Sequence, residues 1–301
     1  MFILILNRLQ LSRCSSVALG VHQSSTIILT DSQAASSRTY LAFQHNAKLY
    51  SLATAVRSIR LVTSLEEANQ SLFKHASDDD HVVVTEQTIF HPQGGGQPSD
   101  VGMMKTSNSI FNVSAVRMDV VSNGQVLHFG RFEAGHNPFA EGETVTQEID
   151  TEKRLLYSRL HTAGHVLGAA TRKLLEKEIE GFDELKASHF PDAASCEFQG
   201  SIEGKWKDAI QKKVDEYVDD NLPVEIEWWS EEDFKNNGLE RLITDNPNVA
   251  AGEKFRVVKI VGADTYPCGG THVDSTADCG KTTVRKISRS KGTSRVSYAV
   301  A

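Results

Sequence analysis

From Arg154 to Glu180 apolar residues return every three or four positions, at Leu160, Ala163, Leu167, Ala170 and Leu174, with no proline before Gly181. That spacing predicts one long amphipathic helix stopped by the glycine. A helix of this length has to bury its stripe, and the flanking sequence offers two kinds of partner. Before it, His81 to Thr85, Ile110 to Val116, Gln125 to Phe129 and Thr144 to Ile149 read as short strands between Gly, Asn, Ser and Pro clusters. Leu65 to Lys74 reads as a helix between them, with Ser64 and Glu67 at capping-box spacing. After it come a second amphipathic helix (Trp206 to Asp220), an alternating strand (Val224 to Trp228) and a short acidic helix capped by Ser230. A buried strand (Phe255 to Val261) and a hairpin (Thr282 to Ser288, Thr293 to Val300) around Lys291 and Gly292 close the chain. The expected class is α+β: a β-barrel domain over residues 39–150, then an α+β domain over residues 151–301.

The 301 residues carry a net charge of -7 and are 40% hydrophobic, the composition of a soluble globular protein. Residues Phe2 to Leu6 make an apolar run of five, far below the ~20 of a membrane span, so no membrane partner is expected. Four cysteines at irregular spacing favour reduced thiols inside a cell over a disulfide scaffold. Residues 1–38 form a separate leader. Its first 30 residues lack acids, contain Arg8 and Arg13 and are serine-rich around Cys14, which is the composition of a mitochondrial presequence and equally of an unstructured tail. The expected location is the cytoplasm, with a mitochondrial address as the variant this leader admits.

Two short motifs carry metal-binding chemistry. His161 and His165 stand four apart on the long helix, so their imidazoles share one face, roughly opposite the apolar stripe. Gly164 and Gly168 lie beside that face and leave room for a ligand or another backbone. Cys268 and His272 stand four apart in a glycine-bent loop. Together they make a His, His, Cys, His set suited to tetrahedral zinc, read against two unrelated surface clusters. A third motif runs from Thr88 through Gly94, Gly95, Gly96 and Gln97 to Gly102. It fits neither a dinucleotide fingerprint nor a Walker loop, so no nucleotide cofactor is expected, but three successive glycines expose more backbone N–H than a turn needs. From Cys279 to Ala301 there are six basic residues, Lys281, Arg285, Lys286, Arg289, Lys291 and Arg295, and no acid. They read either as phosphate contacts or as a charge-guarded sheet edge. Arg172 falls on the histidine side of the helix and is a further candidate phosphate contact. Cys196 reads as a packed small hydrophobe, and His189, in Ser-His-Phe-Pro, as a turn histidine, with an approach to the site as the alternative.

The succession TIFHPQGGGQPSDVG, HTAGH, CGGTHV closely resembles the freestanding alanyl-tRNA editing proteins of the AlaX family, which are related to the editing domain of alanyl-tRNA synthetase. The resemblance covers roughly residues 40–301. It implies a β-barrel domain bearing the glycine motif and an α+β editing domain bearing one Zn²⁺ on His161, His165, Cys268 and His272. It places Thr88 and Gln97 at the aminoacyl end of the tRNA, with Gly94, Gly95 and Gly96 in support, and Thr88 is the expected contact to a substrate hydroxyl. The implied activity is hydrolysis of mischarged tRNA for alanine, Ser-tRNA first and Gly-tRNA second. His91 stands where many relatives have Tyr, and Cys279 where an apolar residue is usual, so neither receives a catalytic role. A non-catalytic, zinc-stabilised tRNA-binding module is the alternative. A complete alanine-tRNA ligase is not expected, because barrel and editing domain account for the matched chain.

Overall fold

The computed structural model describes residues 38–122, 124–243 and 252–301. Leader residues 1–37, with Arg8, Arg13 and Cys14, lie outside them. Six antiparallel strands close a barrel: β1 (Ser51–Leu61), β2 (His81–Thr85), β3 (Gly102–Lys105), β4 (Ile110–Met118), β5 (Val126–Phe132) and β6 (Thr144–Ile149), in the order β1-β2-β5-β4-β3-β6. Val56, Val83, Met104, Phe111, Val116 and Val145 fill its interior, as the alternation of a small barrel demands. Buried polar groups of the barrel, among them Thr85, Thr88, His128 and Gln147, are hydrogen-bonded to one another or to buried backbone.

The helix expected over Leu65 to Lys74 is reduced to one turn, Glu67–Gln70. Ser64 donates its hydroxyl to Leu61 O at 2.8 Å and caps nothing. Val62, Leu65 and Phe73 are drawn separately onto Val82, Val84 and Leu127, and this packing overrides the helical period.

Asp150 ends β6 and caps helix α1 (Thr151–Leu175), its carboxylate accepting from Lys153 N at 3.0 Å. The helix stops five residues short of Glu180, and Gly181, at φ +68°, turns the chain into β7 (Asp183–Ser188). β8 (Ser195–Gln199), α2 (Lys207–Asp219), β9 (Val224–Trp229), α3 (Glu231–Asn236), β10 (Phe255–Ile260), β11 (Asp264–Pro267), β12 (Thr282–Ser290) and β13 (Thr293–Val300) follow. They make a four-stranded sheet, β12-β13-β8-β7, and a three-stranded sheet, β9-β10-β11. The class is α+β.

Leu160, Ala163, Leu167 and Ala170 pack with Phe198, Ile210, Val214 and Val296 between α1, α2 and the four-stranded sheet. Helix α1 is anchored to the barrel by Arg154, whose Nε lies 3.1 Å from both Asp100 oxygens and whose Nη1 donates to Ala47 O at 2.8 Å. Both side chains are 1% exposed. Among the described residues no helix is long and apolar enough to cross a membrane.

Candidate metal centre and cleft

One turn of α1 separates His161 from His165, and the loop after β11 brings Cys268 and His272 against them. The four ligand atoms lie within 4.8 Å of one another. Cys268 Sγ is 3.3 Å from both His161 Nε2 and His272 Nε2. Tetrahedral bonds of about 2.0–2.3 Å put ligand atoms about 3.3–3.8 Å apart, so the group needs little adjustment to close on one cation. His165 Nε2 is buried with no hydrogen-bond partner, and an orphaned imidazole nitrogen inside such a group is suited to ligate a metal ion. The donor set therefore fits a metal ion. Burial holds His161, His165 and His272 below the usual imidazole range, His165 down to about 3, so each stays neutral and able to ligate. The Cys268 thiol is pushed up by burial, with Arg256 and the Gly270 N–H acting against it.

The glycine motif holds this geometry from behind. Gly94 and Gln97 exchange backbone hydrogen bonds across a tight turn, with Gly95 at φ +54° and Gly96 at φ +78°. The turn buries the Gln97 amide, whose Oε1 accepts from His161 Nδ1 at 2.7 Å and from Thr271 N at 3.0 Å, while Nε2 donates to Thr271 Oγ1 at 2.8 Å. One side chain thus fixes the His161 tautomer with Nε2 free for a metal and clamps the Cys268 loop to the helix. Thr162 Oγ1 lies 3.2 Å from His272 Nδ1 and accepts from Val273 N at 3.2 Å, which ties the same loop to the helix. A Cβ on Gly270 would fall 2.3 Å from His161 Cε1, so only glycine lets the loop approach the helix.

Above the ligands opens a cleft of about 460 Å³. His161, His165, His189 and Cys268 line it together with Arg172, Glu184, Asp264 and Tyr266, whose ring lies 4.3 Å from that of His165. Arg172 stands 3.2 Å from Glu184 and 3.4 Å from Asp264, and also contacts Glu176 and Asp183. Burial raises the Glu184 carboxyl to about 7 against the pull of Arg172. The Tyr266 hydroxyl lies 3.0 Å from Asp264 Oδ2, and burial lifts its pKa well above the usual phenol range. His189 is not a surface turn residue: it is 2% exposed, its ring is 4.1 Å from that of His161, and its Nδ1 is 2.7 Å from Tyr298 Oη.

Two family models match the chain. The first, described as tRNA synthetases class II (A), covers residues 22–153, and the second, the threonyl and alanyl tRNA synthetase second additional domain, covers residues 255–297, including Cys268 and His272. The alanyl-tRNA editing protein AlaX-L of Pyrococcus horikoshii is 33% identical over 237 residues, 78% of this chain and 55% of that one. This chain is a relative of the alanyl-tRNA editing proteins. The alanine–tRNA ligases of Methanosphaera stadtmanae and Methanobrevibacter smithii are 31% and 29% identical, each over 74% of this chain and 24% of theirs. The chain spans about half the length of that editing protein and about a quarter of those ligases.

The structure gathers the sequence candidates of this editing-protein relative unevenly. His161, His165, Cys268 and His272 come together, with Gly95 and Arg172 in the same cleft. Gly96 packs on Ala187 O, and Gly94 is exposed. Gln97 sits behind the ligands, and Thr88 lies inside the barrel, its hydroxyl 2.7 Å from His128 Nε2; neither lines the cleft. Arg172 is already surrounded by carboxylates. Lys281, Arg285, Lys286, Arg289, Lys291 and Arg295 lie on or beside the β12–β13 hairpin, outside the cleft. Cys196 is buried, with its thiol 3.4 Å from Gly164 O, and Cys279 is buried beneath Arg159. His91 is buried beside Asp100, its N–H donating to Asp100 Oδ2 at 2.6 Å. Glu184, Asp264 and Tyr266 were not singled out as site residues by the sequence, and His189 takes the alternative reading, beside the site.

Proposed function

We propose that this chain is an aminoacyl-tRNA hydrolase that removes the amino acid from mischarged tRNA for alanine, the seryl ester first and the glycyl ester second, with one zinc ion on His161, His165, Cys268 and His272. The observation that carries the reading is the convergence of those four ligand atoms, one of them an orphaned buried nitrogen, beside a cleft that His161, His165 and Cys268 line. The names of the chain's relatives give the substrate class. A cleft of about 460 Å³ has room for an aminoacylated nucleoside.

In the reaction, water adds to the ester carbonyl carbon, the bond to the terminal ribose oxygen breaks, and that oxygen takes up a proton as the free amino acid leaves. Zinc, when bound, supplies Lewis-acid polarisation and a rigid tie between helix and loop. His189 is suited to orient the water. Tyr298 Oη donates to Leu160 O at 2.9 Å, so it accepts from His189 Nδ1–H, and His189 Nε2 keeps a lone pair for a water proton. Glu184 and Asp264 offer carboxylates to the α-ammonium group of the substrate. A site that pairs the serine hydroxyl leaves its own polar atoms unpaired against alanine, which spares the correct ester. The reading sets the protein where translation occurs, in the cytoplasm, or in the mitochondrion if residues 1–37 direct it there.

Four protein ligands saturate a tetrahedral ion, and this favours the one competing reading, a zinc-stabilised tRNA-binding module without turnover. Deacylation assays with tRNA for alanine carrying serine, glycine or alanine separate the two. The hydrolase reading expects the seryl ester cut fastest, the glycyl ester next and the alanyl ester spared. Binding of all three with cleavage of none would establish the module instead.

A further inference from the structure

On the four-stranded sheet, a hollow of about 340 Å³ is lined by Arg285, Lys286 and Arg295, with Ser288, Ser297 and Asp192 at its edges. In a regular strand Arg285 and Lys286 would point to opposite faces. The β12–β13 register shifts between Val284, opposite Tyr298, and Lys286, opposite Ser297, so Arg285 is the extra residue of a bulge, and both cations are exposed and line the hollow. A bulge re-aims side chains in this way, and here it sets two cations side by side while Arg295, opposite Ser288, adds a third from β13.

None of the three forms a salt bridge among the described residues, whereas Arg172 meets four carboxylates. Arg295 Nε donates only to Ser195 Oγ, at 2.9 Å. This unneutralised cluster belongs to the acid-free stretch of a chain whose net charge is -7. Three cations with two hydroxyls beside them match a phosphodiester group.

The hollow and the cleft share no lining residue, and β13 links them: Arg295 and Ser297 lie on its outer face, whereas Tyr298, which also lines the hollow, is buried and its hydroxyl reaches His189, whose ring lies against His161. The segment joining β7 to β8 gives His189 to the cleft and Asp192, Ala193 and Ala194 to the hollow. We propose that Arg285, Lys286 and Arg295 form a phosphate-binding site that holds the backbone of the tRNA acceptor strand a few nucleotides from the ester lying in the cleft. This rests on the hydrolase reading for the position of the ester, but not for the binding of RNA phosphate.

The test uses the full chain and the variant Arg285→Gln/Lys286→Gln/Arg295→Gln, with two substrates: Ser-tRNA for alanine, and 3′-O-seryl-adenosine, which has no phosphate. The variant should raise KM for Ser-tRNA about tenfold with kcat little changed, and cleave the small ester like wild type. Its binding of uncharged tRNA should show a slope of log affinity against log salt shallower by about 2. An unchanged slope and KM overturn the proposal and leave the hydrolase reading standing. Loss of activity on the small ester as well would tie these side chains to the cleft itself and also overturn it. If wild type cleaves neither ester, the hydrolase reading fails, and the salt slope alone decides the phosphate site.

Discussion

His128 in the barrel and His165 at the cleft both hold an imidazole nitrogen away from water, yet they have opposite needs. His128 Nδ1 donates to Val83 O at 2.9 Å and its Nε2 accepts from the Thr88 hydroxyl at 2.7 Å, so both nitrogens are satisfied. His165 Nε2 has no partner, and three other ligand atoms surround it. The barrel buries polarity in closed pairs that add to rigidity, whereas the cleft buries polarity that only a bound group can satisfy. The contrast separates structural histidines from ligands without reference to any relative.

The closed pairs should fail as structure. Arg154→Met leaves Asp100 buried and unpaired and is expected to cost about 3–5 kcal/mol, read as a large drop in the denaturant midpoint. Acid should attack the same region. Burial holds His128 at about 4, below its ordinary 6.5, so as pH falls the unfolded chain takes up a proton that the folded barrel refuses. The stability involved is fully present above about pH 6.5 and lost towards pH 4, about 3 kcal/mol from this group. Urea melts of wild type and His128→Gln at pH 7 and pH 4.5 check it: the variant should show the smaller drop.

Two smaller effects sharpen the boundary between the regions. Gln97→Ala frees the His161 ring and the Thr271 loop, and should weaken metal affinity about 10–100-fold in a chelator competition. Thr88→Val strands His128 Nε2 and the Phe90 N–H, at a cost of about 1–3 kcal/mol in stability, with the ratio of seryl to alanyl ester cleavage unchanged. Lost selectivity in that variant would make Thr88 a substrate contact and break the distinction drawn here.

What the sequence made legible was local. The β-branched run of His81–Thr85 and the alternation of Thr144–Ile149 give both strands to the residue, and Lys291 and Gly292 take the positive φ angles of a hairpin turn, +48° and +82°. The i, i+4 histidines and the Cys268 loop were legible for the same reason: each half of the group is spelled out within five residues. β1 was missed because a bulge between Val56 and Ser58 resets its alternation. β7 was missed because Asp-Glu-Leu-Lys-Ala-Ser is a polar edge segment that owes its conformation to β8. His189 belongs to the cleft because its N–H reaches Gly96 O at 2.8 Å, a contact across 93 positions that leaves no local trace. Gln97 was visible only through the family resemblance, and its buried amide is hydrogen-bonded to His161 and Thr271.

The account stands on the claim that the four converging side chains hold the ion on which ester cleavage depends. The direct measurement is zinc content and Ser-tRNA hydrolysis on the same preparations of wild type and Cys268→Ala, with circular dichroism to establish that the variant is folded. The account predicts about one zinc per wild-type chain, and loss of both zinc and cleavage, the latter by more than about 100-fold, in the folded variant. Full cleavage by a folded, zinc-free variant would contradict it.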